Sequence, residues 1–301
     1  MDSEKDDTSA CRPNTFIIGA MKSGTSSLHR YLDSHPSVGM SRFKEPAYFL
    51  GPTKPSDAPA LSDRYRNDLG EYLALFEGMQ EKPIRGESTT DYSKLPRFPG
   101  VPERIRDFEP AARIIYLLRD PAERTISHYW WAVQHERETR DLLTAVGEEP
   151  FYTEVSDYAR QLRAYLAVFP KRQLYVETTE RLESHPEQAL CDLWTWLGLD
   201  PDVASLDAAN RFNVTPSSVT QTRSALLQDL RHSRVGAVLT RTIPGPLRAL
   251  GRHLTERTVE RAAATTADAR DYLRGIQRPQ VETLSKILGR QFDEWTSVHA
   301  A

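Results

Sequence analysis

A loop rich in glycine and hydroxyl side chains begins where the first apolar run, Thr15 to Gly19, ends. It reads Gly19-Ala20-Met21-Lys22-Ser23-Gly24-Thr25-Ser26-Ser27. Successive backbone N–H groups in such a loop, together with the N-terminus of a following helix, form a cradle for an anion. Gly24 allows the backbone to approach an oxyanion closely, and Lys22 supplies a full positive charge. Further hydroxyl donors are Ser23, Thr25, Ser26 and Ser27. These residues predict a phosphate-binding loop.

The spacing of this loop differs from that of the mononucleotide P-loop, G-x-x-x-x-G-K-[ST]. Gly19 and Gly24 have the P-loop separation, but Thr25 stands where the lysine belongs and Lys22 comes before the second glycine. An ATP-dependent kinase needs the lysine after Gly24, so that alternative is disfavoured but stays open. The other alternative is a turn that only starts a helix. Such a turn needs neither Lys22 nor two glycines at this spacing.

A second polar group follows the most apolar run, Ile114 to Leu118. Arg119 comes directly after this run, and Ser127 lies eight positions further on. Ligands of open α/β sheets bind at the carboxyl ends of strands, where an arginine and a hydroxyl can hold a phosphate. Asp120 precedes Pro121, which favours a helix N-cap over a Mg²⁺ ligand in a Walker-B-like strand. A structural ion pair is the alternative for Arg119.

The order of the apolar segments indicates the fold class. Runs of strand length alternate with segments of helical spacing as far as about Asp200, which predicts a doubly wound α/β fold on a parallel sheet. Beyond Asp200 no strand is predicted, Asn210 to Thr222 reads as a polar loop, and a final helix is expected. That helix has the apolar residues Val281, Leu284, Ile287 and Leu288. We expect a disordered tail over residues 1–13 and a single domain over 14–301 with a helical C-terminal part.

Composition restricts the class of protein. Lysine and arginine number 39 against 42 aspartate and glutamate residues, and the net charge of −3 over 301 residues argues against a nucleic-acid partner. No apolar run approaches the ~20 residues that span a bilayer, and Met1 to Asn14 lacks the apolar region of a signal peptide. Cys11 and Cys191 indicate neither a disulfide framework nor a metal site. We therefore expect a cytoplasmic protein without a membrane span or a metal.

Together the two polar groups resemble the sulfotransferases that use 3′-phosphoadenosine 5′-phosphosulfate (PAPS). Ile18 to Ser27 is similar to their 5′-phosphosulfate loop, and Arg119 to Tyr129 is similar to their 3′-phosphate motif. The Lys-Ser-Gly-Thr form resembles the heparan-sulfate (carbohydrate) type and its soluble bacterial relatives more than the phenol and steroid type. Further similar segments are Leu32 to Pro36, Lys44 to Phe49, Gly86 to Thr89 and Leu284 to Trp295.

The resemblance implies a P-loop-like sheet of about five parallel strands, PAPS as co-substrate and no metal. By similarity, Lys22 would stabilise the leaving phosphate, and Arg119 and Ser127 would bind the 3′-phosphate. Glu45 has the position of the general base, with an ion pair to Lys44 or Arg42 as the structural alternative. His128 is the second candidate base. The 5′ end of the donor would be held by Lys22, Ser23, Gly24, Thr25, Ser26 and Ser27.

For the acceptor, the resemblance implies a hydroxyl, less favourably an amine, of a small metabolite, lipid or sugar. Several positions depart from the glycan enzymes, so a small-molecule acceptor is expected as much as a polymeric glycan. Asn210 to Arg223 is the expected replacement for their adenosine-contacting loop, and Tyr48 and Phe49 are candidates for lining the acceptor cleft. Besides the P-loop kinase, a non-catalytic nucleotide-binding protein stays open as an alternative.

Overall fold

A five-stranded parallel sheet forms the centre of the protein. The computed structural model describes residues 11–51, 68–135, 138–201 and 266–299, and the backbone of 218–222 and 256–260. The strand order is β2-β3-β1-β4-β5, which confirms the predicted parallel α/β sheet. The strands are β1 (Thr15–Gly19), β2 (Val38–Met40), β3 (Ile84–Ser88), β4 (Arg113–Leu118) and β5 (Leu174–Thr178).

Alternate residues of each central strand enter different apolar clusters, since successive strand side chains point to opposite faces. Ile114, Tyr116 and Leu118 belong to the cluster on one face, and Ile115 and Leu117 belong to the cluster on the other. Both faces are covered by helices, so β4 is apolar throughout. This is why its sequence is a continuous apolar run.

The described residues form eleven α-helices. In chain order they are α1 (Thr25–Asp33), α2 (Leu69–Leu73), α3 (Val101–Phe108), α4 (Pro121–His135), α5 (Leu142–Glu148), α6 (Phe151–Glu154), α7 (Tyr158–Leu166), α8 (Thr179–Ser184), α9 (Pro186–Leu197), α10 (Ala267–Leu288) and α11 (Thr296–His299). None of the helices in the described ranges combines the length and the apolar character needed to cross a membrane.

The part of the chain beyond Asp200 corrects one expectation. Two strands, β6 (Ser218–Thr222) and β7 (Glu256–Glu260), pair in antiparallel orientation there. The prediction of a polar loop up to Thr222 and of no strand after Asp200 is therefore wrong for these segments. Both are short and polar, so neither shows the apolar run that marks the buried strands. The expected final helix is confirmed as α10, although it begins well before the predicted apolar face.

The N-terminal boundary is seen only in part. Residues 1–10 of the predicted tail lie outside the described residues. Arg12 donates from Nη2 to the Phe108 carbonyl at 2.7 Å and lies over the Phe108 ring, and its own carbonyl accepts from Arg85 Nε at 2.8 Å. The residues directly before β1 are thus bound to the body of the fold. The segment 52–63, which holds three prolines, lies outside the described residues too.

The sheet topology brings the two predicted polar motifs together. The chain leaves β1 toward β2 on one side of the sheet and leaves β4 toward β5 on the other, although β1 and β4 are neighbours. Connections that diverge from two adjacent parallel strands leave a crevice at the carboxyl ends of those strands. The loop after β1 and the Arg119 motif after β4 both open into this crevice. Ala20 N donates to Leu117 O at 2.6 Å across it.

We expect Leu117→Ala to destabilise the protein by ~2–5 kcal/mol, because it opens a cavity in a close-packed core beside the crevice. Leu117 is 0 % exposed, whereas Leu143 on α5 is 38 % exposed and provides the matched control. Leu143→Ala should cost below ~1 kcal/mol. Urea unfolding of both variants measures the difference, and equal losses would contradict the assignment of Leu117 to the core.

Candidate active site

The loop after β1 is fixed to the sheet by side chains from outside the loop. Thr179 Oγ1, at the start of α8, lies 2.7 Å from Ser23 O and 2.8 Å from Leu118 O, and its single hydrogen is shared between these two carbonyls. Arg119 Nη1 lies 3.3 Å from Lys22 O. The hydroxyl of Thr179 therefore joins the loop to the end of β4, where the second motif begins.

The loop conformation leaves the start of α1 open to a ligand. Gly24 is the N-cap residue with φ +86°, and no side chain caps the helix. Lys22 also has a positive φ, of 69°. The first N–H groups of a helix lack partners within it, so this end of α1 can bind an anion.

Two hydroxyls predicted to bind the donor are buried without a partner. Ser23 is 0 % exposed and Ser127, on α4, is 1 % exposed. Neither Oγ atom has a hydrogen-bond partner within the described part of the chain. Since buried hydroxyls are normally bonded, these two atoms fit a ligand that supplies acceptor oxygens. They lie in the two motifs that the crevice brings together, one after each strand.

Asp120 has a structural role in this arrangement. Its Oδ1 accepts from Ala122 N at 3.0 Å, which confirms the predicted N-cap of α4. Its Oδ1 and Oδ2 also accept from the hydroxyl and the amide of Ser297, in the C-terminal segment. Both carboxylate oxygens are thus engaged by protein donors, which disfavours the alternative of a kinase that binds Mg²⁺ through Asp120.

The C-terminal segment positions the Arg119 motif. Glu180 accepts from Asp120 N at 2.8 Å and from Trp295 Nε1 at 3.1 Å. Tyr158 OH donates to Arg119 O at 2.8 Å and its ring packs against Trp295. Residues far apart in sequence therefore determine where the chain turns after β4.

Glu45 lies beside the loop after β1, to which its neighbour Lys44 is bound. Its Oε2 accepts from Thr90 N at 2.8 Å, and its Oε1 is 3.7 Å from Lys44 Nζ. The surrounding protein removes water from the carboxylate and raises its pKa, although 41 % of the side chain remains exposed. An exposed carboxylate that takes up a proton more readily than usual is suited to general base catalysis.

Lys44 is a site residue that the sequence analysis treats only as an ion-pair partner. Its Nζ donates to Thr25 Oγ1 at 3.1 Å and to Ser26 Oγ at 2.9 Å. It therefore joins the hydroxyls of the loop to Glu45, and burial lowers its pKa. The ion pair considered for Glu45 is formed with Lys44. Arg42, the other candidate partner, donates to the Glu77 carbonyl instead.

His128 is enclosed rather than exposed beside the loop. It is 1 % exposed, its ring lies against those of Phe151 and Tyr152, and its Nδ1 has no partner within the described residues. Burial, with Arg124 and Lys94 nearby, holds its pKa well below the usual value, so the imidazole is neutral. His128 lines a cleft of about 490 Å³ together with Arg97 and Phe151.

The aromatic candidates for the acceptor cleft belong mostly to the core. Phe49 is 2 % exposed, and Tyr48 stacks on Tyr72 with ring centroids 4.4 Å apart. The expectation that Phe49 lines the cleft is therefore wrong. Of Asn210 to Arg223, only the backbone of 218–222 lies within the described residues, and the predicted adenosine contacts lie outside them.

Comparisons with known proteins agree on one family. Residues 13–202 match the model of the Sulfotransferase family. A membrane-associated sulfotransferase, kil1 of Dictyostelium discoideum, is 33 % identical over 127 residues, which are 41 % of this chain and 24 % of that protein. The bifunctional heparan sulfate N-deacetylase/N-sulfotransferase 2 of Bos taurus is 25 % identical over 63 % of this chain and 22 % of its own length. The chain thus spans about a quarter of each of these two relatives.

A solved structure matches almost the whole chain. The crystal structure of a sulfotransferase from Alicyclobacillus acidocaldarius superposes with a TM-score of 0.67 at 27 % identity. The match covers 95 % of this chain and 99 % of that one.

We expect Gly24→Ala and Gly275→Ala to change stability in opposite directions. A Cβ at Gly24 meets its nearest atoms at 3.8 Å, so the cost of ~1–2 kcal/mol comes from the left-handed backbone alone. Gly275 lies exposed within α10 with no atom near a Cβ, and alanine there should stabilise the protein by ~0.5–1 kcal/mol. Thermal and urea unfolding measure the change in stability of each variant. Gly24→Ala without a loss would refute the loop conformation.

Proposed function

Since this chain belongs to the sulfotransferase family, we propose that its sulfuryl donor is PAPS and that its acceptor is a hydroxyl of a small metabolite, lipid or sugar. The observation that carries the donor assignment is the pair of buried hydroxyls, Ser23 and Ser127, which have no hydrogen-bond partner among the described residues and lie in the two motifs flanking one crevice. Phosphate oxygens at the two ends of one nucleotide would satisfy both hydroxyls. ATP with Mg²⁺ is disfavoured because Asp120 is used as a cap.

The residues around the crevice divide between the two ends of the donor. The uncapped start of α1, with Ser23, Gly24, Thr25, Ser26 and Ser27, would hold the 5′-phosphosulfate. Arg119 and Ser127 would hold the 3′-phosphate by charge-assisted hydrogen bonds. PAPS supplies an activated sulfuryl group on its 5′-phosphate. Lys22 would stabilise the negative charge that develops on that phosphate.

Transfer requires that a proton leave the acceptor. The acceptor oxygen forms a bond to sulfur, the bond from sulfur to the 5′-phosphate oxygen breaks, and the acceptor proton passes to Glu45. Glu45 is the better base because its side chain is 41 % exposed, whereas His128 is 1 % exposed and packed against aromatic rings. Lys44, in contact with the loop hydroxyls and Glu45, lies where sulfuryl oxygens would collect negative charge.

The cleft lined by His128, Arg97 and Phe151 is the proposed entry for the acceptor. Arg97 lies over the Phe151 ring at 4.4 Å, and Lys94 lies over the same ring at 5.6 Å. Both relatives named above carry sulfotransferase in their names, and one is a heparan sulfate enzyme, which favours a sugar among the proposed acceptors. Cytoplasmic location and a single domain over 14–301 stay predictions.

The donor assignment predicts that 3′,5′-ADP raises the melting temperature whereas 5′-AMP, ADP and ATP with Mg²⁺ do not. A ligand at ~100 times its Kd stabilises the native state enough to shift Tm by about 5 °C. Arg119→Ala should abolish the shift, and Arg163→Ala, at an exposed position on α7, should preserve it. A shift with ATP and Mg²⁺ but not with 3′,5′-ADP would overturn the assignment in favour of a kinase.

The base assignment predicts that Glu45→Gln loses turnover by ~10²–10⁴-fold while the 3′,5′-ADP shift stays unchanged. Release of 3′,5′-ADP from PAPS, with a panel of sugars and with water as acceptor, measures turnover. Glu77→Gln, at an exposed position, is the control. The base must be ionised, so turnover should fall as the pH falls through the pKa of Glu45, which lies above 4.5. Unchanged turnover in Glu45→Gln would exclude Glu45 as the base.

A further inference from the structure

The segment that carries Glu45 has an unusual backbone. Glu45 has φ +61° and Ala47 has φ +60°, and a 3₁₀ turn over Tyr48–Leu50 follows. Non-glycine residues in the left-handed region persist only where the surrounding structure fixes them. Two such residues within three positions therefore need contacts that hold this segment, residues 45–50, in place.

Side-chain groups bind this segment on both its amide and its carbonyl groups. Ala47 N donates to Thr89 Oγ1 at 3.3 Å, and Phe49 N donates to Tyr92 OH at 3.2 Å. On the other side, Arg104 donates to Phe49 O at 2.7 Å and to Leu50 O at 3.1 Å. The amides of Ala47 and Phe49 thus depend on two hydroxyls that follow β3, whereas Glu45 N donates to Ser88 O and Leu50 N to Ala47 O.

Both hydroxyls are bound to one buried carboxylate. Glu87 is 0 % exposed, and its Oε2 accepts from Thr89 Oγ1 at 2.8 Å. Its Oε1 accepts from Tyr92 OH at 3.0 Å and from Tyr72 OH at 2.7 Å. An ionised carboxylate only accepts hydrogen bonds, and a hydroxyl has a single hydrogen. Thr89 and Tyr92 therefore direct their hydrogens to Glu87 and their lone pairs to the two amides.

We propose that Glu87 is a positioning residue for Glu45: it orients the hydroxyls of Thr89 and Tyr92 so that they accept from the amides of the 45–50 segment. The consequence for catalysis rests on the proposed function, in which Glu45 is the base. Tyr72 separates this role from a merely structural one. The Tyr72 hydroxyl makes the shortest of the three hydrogen bonds to Glu87. Unlike Thr89 and Tyr92, however, it accepts no hydrogen bond from an amide of the 45–50 segment.

The arrangement is sensitive to protonation of Glu87. The charged and titratable groups that face it are Tyr72, Tyr92, Tyr165 and Glu45, and burial raises the pKa of Glu87 to about 7. Below that pH the carboxyl carries a proton of its own and must donate to one of the hydroxyls. That hydroxyl then loses its acceptor, and its lone pairs are no longer directed to the segment. The contacts should therefore weaken as the pH falls through about 7.

Amide hydrogen exchange of the peptide covering residues 44–51, read by mass spectrometry, tests the contact directly and needs no acceptor. Thr89→Val and Tyr92→Phe should each speed exchange of this peptide ~5-fold, the effect of losing about one net hydrogen bond. Tyr72→Phe, the matched control, removes a bond to Glu87 of the same kind and should leave the peptide unchanged. Thr89→Ser should restore slow exchange. Equal exchange in Tyr72→Phe and Tyr92→Phe would overturn the proposal.

Turnover of PAPS then tests the positioning role. Tyr92→Phe and Thr89→Val should lower kcat ~10- to 100-fold with KM for PAPS and the 3′,5′-ADP shift unchanged, because a small displacement of a base is costly. Tyr72→Phe should keep kcat within ~3-fold, as a change remote from the reacting groups does. Faster exchange with unchanged kcat would reduce Glu87 to a structural residue. If 3′,5′-ADP does not bind the wild type, the donor assignment fails. The exchange measurement still shows whether Thr89 and Tyr92 hold the 45–50 segment.

Discussion

The adjacency of β1 and β4 at the carboxyl edge of the sheet is the constraint on which the site depends. The chain diverges from these two strands in opposite directions, so the loop after β1 and the turn after β4 meet without an intervening element. The bond from Ala20 N to Leu117 O and the hydroxyl of Thr179 fix the two segments relative to each other. Every donor-binding residue proposed here lies on one of them.

Polar groups at this edge fall into two sets with different tasks. Asp120, Thr179 and Glu180 are saturated by protein partners, and they determine where the backbone runs. Ser23 and Ser127 are as deeply buried but lack partners among the described residues. A folded chain tolerates such atoms where a ligand satisfies them, since an unmade buried hydrogen bond costs free energy. The first set therefore fixes the backbone around the crevice, and the second set is available to bind a ligand.

Desolvation gives the catalytic side of the cleft its electrostatic character. Burial raises the pKa of Glu45 and of Glu87 and lowers the pKa of Lys44, and it lowers the pKa of His29, beside Lys44, to about 4. His29 is therefore neutral and accepts or donates a hydrogen bond with Ser88 rather than carrying charge. Lys44 contacts the loop hydroxyls and is partly desolvated, so it interacts more strongly than in bulk water with charge that develops on a sulfuryl group.

Local sequence patterns are enough to predict the parallel sheet and the two phosphate-binding motifs. The remaining contacts of the site depend on tertiary structure. Apolar runs such as Ile114 to Leu118 predict strands because a strand buried on both faces must be apolar. The loop after β1 can be predicted as an anion site because its binding groups are close together in sequence. β6 and β7 were missed because short polar strands lack that signal, and Phe49 was misplaced because an aromatic residue beside a base can equally belong to the core. Other features depend on side chains from separate elements. Glu87 is bound by Tyr72, Thr89 and Tyr92, Lys44 reaches the hydroxyls of the β1 loop, and His128 is enclosed by the fold. No local pattern encodes such contacts, because they arise only when the chain folds and brings those elements to one edge of the sheet.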